Sequence, residues 1–103
     1  MEFIETIIFC KSVKGVLDDE QLRQLQTTLM LYPGMGAVIP GSGGLRKLRW
    51  VSAGRGKRGG LRVIYYWVNE DHTIFLLYVY AKVKQEDLTT QELKFLADLI
   101  QGE

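Results

Sequence analysis

The sequence predicts an α+β fold in which a small, antiparallel-rich sheet carries its helices packed on one face, with the elements in the order β-α-β-β-β-α. Three observations predict this fold. Two segments have apolar residues at helical spacing behind capping residues, four segments are rich in β-branched and aromatic residues, and no internal repeat is visible. An antiparallel sheet with helices packed against it buries both kinds of apolar stripe.

The first half of the chain supplies one strand and one helix. Residues 2–9 (EFIETIIF) have the composition of a strand, and residues 11–15 are expected to form a loop. A helix then begins at the N-cap Asp18, with a glutamine three residues later as in a capping box. Its leucines recur at helical spacing. The helix ends near Leu31, because Pro33 and a glycine follow.

The second half predicts three strands and a second helix. Residues 33–44 contain both prolines and five glycines, so we expect an irregular connector. Residues 45–51 alternate in the manner of a strand, and residues 61–68 and 74–81 should pair as an antiparallel hairpin. A capping box begins at Thr89, in front of a leucine stripe, and predicts the second helix.

Length and composition exclude several classes of protein. The 103 residues suffice for one domain, residues 1–103, and 47% hydrophobic with 24% charged residues is typical of globular proteins. The only cysteine, Cys10, allows no internal disulfide and predicts a small buried side chain in a reducing compartment. The acidic start does not resemble a signal peptide, and the apolar run 74–81 is too short to span a bilayer as a helix. We therefore expect a cytoplasmic protein without a membrane partner.

Basic residues are concentrated in one acid-free segment. No Asp or Glu occurs from residue 21 to residue 69, although the formal net charge of the chain is only +1. Such a positive segment, with glycines and aromatic residues around it, is typical of a phosphate-binding surface. A merely solvated charged face is the alternative. Seven of the cations lie within 17 positions: Arg46, Lys47, Arg49, Arg55, Lys57, Arg58 and Arg62.

Few other groups could support catalysis. One histidine and one cysteine provide no metal-ligand set, and the glycine-rich stretches lack the Lys-Ser or Lys-Thr of a nucleotide-binding loop, so no metal or cofactor is expected. Strand parity places Lys47 and Arg49 on one face. Arg62 opens the next strand, and Lys82 and Lys84 follow the third, so these cations could form one cleft. Arginine suits phosphate contacts, and crowded lysines could transfer protons in phosphodiester cleavage or only bind phosphate.

Three runs of the sequence together resemble a known family. They are GSGGLRKLRW, GRGKRGGLRVIYYW and IFLLYVYAKVKQEDLT, in this order along the chain. With the predicted element order, they resemble the RelE superfamily of bacterial toxins and, within it, the HigB-like branch. The resemblance implies a RelE/ParE-like fold and a toxin of a type II toxin–antitoxin system. Such toxins cleave mRNA in the A site of the 70S ribosome, by attack of the ribose 2′-OH on the adjacent phosphate without a metal, and so inhibit translation.

The resemblance implies roles for the basic residues. Lys47 and Arg49 match a Lys-x-Lys/Arg pair on the strand before the basic loop, Arg62 matches an arginine that opens the next strand, and Lys82 matches a lysine after the third strand. Lys47 or Lys82 would then act as base towards the 2′-OH. Arg49 and Arg62 would hold the scissile phosphate. The remaining cations would contact ribosomal RNA or flanking phosphates: Arg46, Arg55, Lys57, Arg58 and Lys84.

The resemblance also implies a protein partner, a helix-turn-helix antitoxin of the HigA kind. A basic cleft without internal acidic cover can be neutralised by an acidic or obstructive segment of a partner. Two other functions remain open. One is a ParE-like toxin on the same fold, which inhibits DNA gyrase; the crowded cations from Arg46 to Arg62 argue against it. The other is a non-catalytic RNA-binding domain, which an active clone recovered without a partner gene would favour.

Overall fold

In the part of the chain that the structure describes, five strands form one mixed sheet with three helices around it. The structure is a computed structural model that describes residues 1–51, 60–85 and 87–101. The strands pair in the order β1-β5-β4-β3-β2; β1 is parallel to β5 and the other pairs are antiparallel. The predicted α+β class is confirmed. In chain order the elements are β1 (Glu2–Glu5), α1 (Ile7–Val13), α2 (Asp19–Leu31), β2 (Ala37–Val38), β3 (Arg46–Trp50), β4 (Leu61–Val68), β5 (Thr73–Ala81) and α3 (Thr90–Gln101).

Helices α2 and α3 begin where the capping patterns predicted. The Asp18 carboxylate accepts a hydrogen bond from the backbone N–H of Gln21, and the Gln21 side chain accepts one from the backbone N–H of Asp18, at 2.8 and 3.0 Å. Thr89 and Glu92 make the same exchange at 3.1 and 2.8 Å. These bonds satisfy N–H groups that have no partner within a helix. None of the described helices is long and apolar enough to cross a membrane.

The segment 2–9, predicted as one strand, divides into a strand and a helix. Strand β1 ends at Glu5, and the buried Thr6 caps α1, because its hydroxyl accepts a hydrogen bond from the backbone N–H of Phe9 at 3.1 Å. The single-strand prediction was wrong, since β-branched and aromatic residues also suit a short helix when tertiary packing buries one of its faces. Cys10 lies on the outer side of this helix and is exposed, contrary to the prediction.

Helix α1 protects one edge of the sheet. Strand β1 pairs with β5 only as far as Leu76, which leaves the second half of β5 without a strand on that side. There the Ser12 hydroxyl oxygen accepts a hydrogen bond from the backbone N–H of Val79 at 3.1 Å. Residues 11–13, predicted as a loop, are the last turn of this helix. A helix thus takes the place of an edge strand.

Apolar side chains cover both faces of the sheet. One core cluster joins Phe9 of α1 and Leu25 and Leu29 of α2 to residues of β4 and β5. A second cluster joins Leu96 of α3 to residues on the other face of the same two strands. The expectation that the helices pack on one face is therefore wrong for α3. The continuous apolar run of β5 is the physical reason, because a strand that is covered on both faces does not alternate between apolar and polar residues.

The connector 33–44 contains the short edge strand β2, which the sequence did not predict. Tyr65 holds the start of this connector against the face of the sheet opposite α3. The Tyr65 hydroxyl donates a hydrogen bond to the Pro33 carbonyl at 2.9 Å and accepts one from the Gly36 N–H at 2.8 Å. A Cβ atom at position 36 would lie 2.8 Å from the Tyr65 ring, so glycine is required there. With α1 and β2 added, the predicted order β-α-β-β-β-α becomes β-α-α-β-β-β-β-α.

Candidate active site

Two arginines oppose each other near the middle of the sheet. Strands β3 and β4 pair so that Arg49 lies directly opposite Arg62, and Arg62 in turn lies opposite Tyr80 of β5. Directly opposed side chains point to the same face with Cβ atoms about 4.5–5.5 Å apart, and like charges at that separation destabilise a sheet. An anion bound beside them would be attracted by both charges. We call Arg49, Arg62 and Tyr80 the cross-strand row.

Two lysines flank the cross-strand row. Lys47 lies two residues before Arg49 on β3 and therefore shares its face. Lys82 follows β5, and its backbone N–H donates a hydrogen bond to the Gly60 carbonyl at 3.2 Å, which ties the end of β5 to the start of β4, where Arg62 lies. Arg49 is exposed, whereas both lysines and Arg62 are half-buried. The structure thus brings the four predicted catalytic cations to one region of the α3 face.

An acidic side chain lies among these cations. The Lys47 ammonium donates a hydrogen bond to Asp87 Oδ1 at 2.8 Å. That hydrogen bond and the Lys47 charge hold the pKa of Asp87 below its ordinary value of 3.8, and the charges of Lys82 and Arg62 lower it further. The expectation of a cleft without internal acidic cover is therefore wrong, because Asp87 enters from the loop before α3, outside the acid-free segment. Its side chain is 71% exposed and occupies an anion position beside Lys47.

Tyr80 contributes a hydroxyl to this site. The residue is 5% exposed, and its hydroxyl has no hydrogen-bond partner among the described residues. Burial raises the pKa of the Tyr80 hydroxyl above its ordinary value of 10.0, and the Asp87 carboxylate raises it further. The hydroxyl therefore carries its proton at neutral pH. Sequence reasoning missed both residues, since Tyr80 stands in an apolar run that resembles core and Asp87 lies outside the basic segment.

Lys47, Asp87 and Tyr80 surround one small pocket of about 230 Å³. A few polar groups in an otherwise apolar pocket are typical of ligand sites. The polar residues of this pocket suit an anion, and its apolar residues suit an uncharged group. The apolar wall comes from the connector, β4 and the start of α3: Ile39, Pro40, Ile64, Leu88 and Leu93.

Of the other predicted cations, the structure describes Arg46 and Lys84, and neither joins the cross-strand row. Arg46 lies on the opposite face, where its guanidinium donates hydrogen bonds to the carbonyls of Gly34 and Gly36 at 3.2 and 2.7 Å and lies 5.7 Å from the centre of the Trp67 ring. Arg46 therefore holds the connector in place. Lys84 is exposed and lines a second hollow, beside α1, to which Tyr80 also contributes. Three further predicted cations lie outside the described residues: Arg55, Lys57 and Arg58.

The Lys47–Asp87 ion pair can be tested by titration. We expect the side-chain carboxyl signal of Asp87 in NMR spectra to titrate with a midpoint below 3.8, and Lys47→Ala to move that midpoint back towards 3.8. Because the pKa is lowered in the folded state, the contact stabilises the fold above pH 3.8, and this contribution is lost as the pH falls through the lowered pKa. Lys94→Ala, which breaks the exposed pair with Asp98, should leave the Asp87 midpoint unchanged. A wild-type midpoint at or above 3.8 would contradict the ion pair.

The chain matches the family model described as "RelE toxin of RelE / RelB toxin-antitoxin system" over residues 8–101. A double mutant of the E. coli toxin RelE in the free state has a similar structure, with a TM-score of 0.59 and 19% identity over 82% of this chain and 86% of that chain. A chain of the intact E. coli RelBE toxin–antitoxin complex matches with a TM-score of 0.56 and 18% identity, over 76% of this chain and 92% of that chain. At these identities the structural matches show a common fold. The match to the family model spans most of the sequence, and the chain therefore belongs to the RelE family of toxins from toxin–antitoxin systems.

Proposed function

We propose that this chain, as a single domain of residues 1–103, is a ribosome-dependent endoribonuclease of the HigB-like branch that cleaves mRNA in the ribosomal A site and so inhibits translation. The observation that carries the proposal is the cross-strand row, in which Arg49 and Arg62 are directly opposed. Two arginines on one face of the sheet suit an anionic ligand, and a phosphodiester of mRNA is such a ligand. The family to which the chain belongs supports a toxin function.

The proposed cleavage is a transfer of the phosphoryl group within the RNA. The ribose 2′-oxygen forms a bond to the adjacent phosphorus, and the bond from phosphorus to the 5′-oxygen of the next nucleotide breaks. The products are a 2′,3′-cyclic phosphate and a free 5′-hydroxyl. Arg49 and Arg62 hold the phosphate and stabilise the charge that develops on its oxygens. A base accepts the proton of the 2′-hydroxyl, and an acid donates a proton to the departing 5′-oxygen.

The two lysines are the candidates for proton transfer, and their surroundings differ. The Lys47 ammonium donates a hydrogen bond to the Asp87 carboxylate, so Lys47 suits the role of acid or phosphate ligand. Lys82, at the other side of the cross-strand row, is then the candidate base. Asp87 itself is a poor base, because its pKa lies below 3.8, far from the pH at which translation runs.

The same cations suit the proposed partners. The ribosome and its mRNA both present phosphate groups. Because they lie in the cytoplasm, a protein that acts on them works there. A helix-turn-helix antitoxin of the HigA kind could neutralise this basic surface with acidic side chains of its own, in addition to Asp87, which pairs with Lys47. One of the structures that this chain resembles is a toxin–antitoxin complex, which supports a protein partner.

Primer extension on a defined mRNA tests the proposal. We expect purified protein to produce new cuts only when translating 70S ribosomes are present, with 5′-hydroxyl ends downstream of each cut. Cuts on free mRNA would contradict the ribosome dependence. If no cuts form in either condition but the protein inhibits DNA supercoiling by gyrase, the ParE-like function replaces this proposal. Absence of both activities, with RNA binding retained, would leave a non-catalytic RNA-binding domain.

A further inference from the structure

Tyr80 carries a buried hydroxyl without a hydrogen-bond partner in the described part of the chain. An unpaired buried hydroxyl destabilises a fold, and folded proteins seldom keep one unless it has a role. The indole N–H groups of Trp50 and Trp67 also have no partner among the described residues, but these rings pack on the opposite face with the α2 cluster. Of the three groups, the Tyr80 hydroxyl is the one on the face that carries the cations.

The position of Tyr80 relates its hydroxyl to the arginines. Tyr80 lies directly opposite Arg62, which lies directly opposite Arg49, so the three side chains cross three adjacent strands on one face. Neighbouring strands are about 4.8 Å apart. An anion held by Arg62 is therefore one strand away from Tyr80. The pocket beside the row is lined by Tyr80 together with Lys47 and Asp87.

The hydroxyl is suited to donate a hydrogen bond and not to accept a proton. Burial raises the pKa of Tyr80 above 10.0, and the nearby Asp87 carboxylate acts in the same direction. At neutral pH the hydroxyl thus keeps its proton. In the free protein the Lys47–Asp87 ion pair borders the same pocket, and the Asp87 side chain is 71% exposed, so an incoming anion can replace this carboxylate without disturbing the core.

Resting on the proposed endonuclease function, we propose that the Tyr80 hydroxyl donates a hydrogen bond to a non-bridging oxygen of the scissile phosphate that Arg49 and Arg62 hold. The hydroxyl keeps its proton throughout. The bond strengthens as negative charge grows on the phosphate oxygens in the transition state. Tyr80 is then a catalytic residue that a search of the sequence for basic residues does not find.

Tyr80→Phe separates this role from a structural one. Phenylalanine keeps the ring and its stacking on Tyr78, whose ring centre lies 5.6 Å away. We expect an unchanged or higher melting temperature, because the unpaired hydroxyl leaves the core. We also expect single-turnover cleavage on 70S ribosomes to be about 10- to 100-fold slower, the size expected when one hydrogen bond to a charged group is lost.

Tyr65→Phe is the matched control. It removes a hydroxyl that has two backbone partners and lies in the cluster on the opposite face. We expect a lower melting temperature and an unchanged cleavage rate for the folded protein. A wild-type rate for Tyr80→Phe would overturn the proposal. So would a melting temperature of Tyr80→Phe as low as that of Tyr65→Phe, because it would show that the Tyr80 hydroxyl has a structural partner.

A binding measurement distinguishes failure of this proposal from failure of the proposed function. If the wild type does not cleave on ribosomes, the endonuclease function fails. The hydroxyl contact is then tested separately, by measuring how tightly the isolated protein binds a short single-stranded RNA that 2′-deoxy substitution has made uncleavable. Weaker RNA binding by Tyr80→Phe than by the wild type, at equal salt concentration, would support a contact between the Tyr80 hydroxyl and a phosphate. Equal binding by the two proteins overturns it.

Discussion

Replacing Arg62 with alanine is expected to slow ribosome-dependent mRNA cleavage by about 100- to 1,000-fold. Arg62 is the central member of the cross-strand row, with Arg49 opposite on β3 and Tyr80 opposite on β5. The substitution therefore removes the cation that adjoins both of the other groups proposed to hold the phosphate. Because the charge on the phosphate grows in the transition state, kcat should fall more than KM rises. Single-turnover and steady-state cleavage of a defined mRNA on 70S ribosomes measure both effects.

Two variants control for charge and geometry. Arg62→Lys keeps the charge but not the planar fork of the guanidinium, so it should recover only part of the rate. Arg23→Ala removes an arginine from the exposed surface of α2, where it pairs with Glu20 at 3.2 Å, and should cleave at the wild-type rate. If Arg62→Ala is folded and also cleaves at the wild-type rate, the cross-strand row has no part in the reaction.

The sequence predicted the cations of the site but not their arrangement. Alternation alone put Lys47 and Arg49 on one face, and the structure agrees. The opposition of Arg49 and Arg62 depends on the register between β3 and β4, and a shift of one residue would move every side chain to the other face. Register depends on long-range pairing and connector geometry. No local pattern in the sequence specifies it.

The position of Tyr80 depends on an irregularity of β5 that composition does not reveal. Between the pairs Ile64↔Tyr78 and Tyr65↔Leu76, β5 has one extra residue, Leu77. Such a bulge shifts the alternation of the side chains that follow it. Counting by twos from Leu76 would place Tyr80 in the α2 cluster, whereas the bulge turns it to the α3 face.

The fold was predictable where a local pattern decides the structure. The caps of α2 and α3 are such patterns, since each uses a side chain and a backbone group three residues apart. Strand β2 is only two residues long and is defined by its pairing with β3, so no periodicity could indicate it. The segment that became β1 and α1 has a composition compatible with both states, and burial of one face decided between them.

Replacing Phe9 with alanine is expected to lower the free energy of unfolding by about 3–5 kcal/mol. The Phe9 side chain is 0% exposed and packs in the cluster that contains Leu25 and Leu29 of α2. It lies in the first turn after the cap at Thr6, so the cavity would open between α1, α2 and the sheet. Denaturant-induced unfolding measures the difference. Ile7→Ala, in the same helix but at a position that is 73% exposed, should change the free energy of unfolding by less than about 0.5 kcal/mol.

The contrast between these two variants also tests the backbone of the segment. In a strand, residues two apart point to the same face, so Ile7 and Phe9 would be buried or exposed together. In an α-helix of 3.6 residues per turn, they point about 200° apart. If Phe9→Ala lowers the free energy of unfolding strongly and Ile7→Ala hardly changes it, the segment must be a helix. Similar losses for the two variants would contradict α1, and with it the bond from Val79 to Ser12 that replaces strand pairing at this edge of β5.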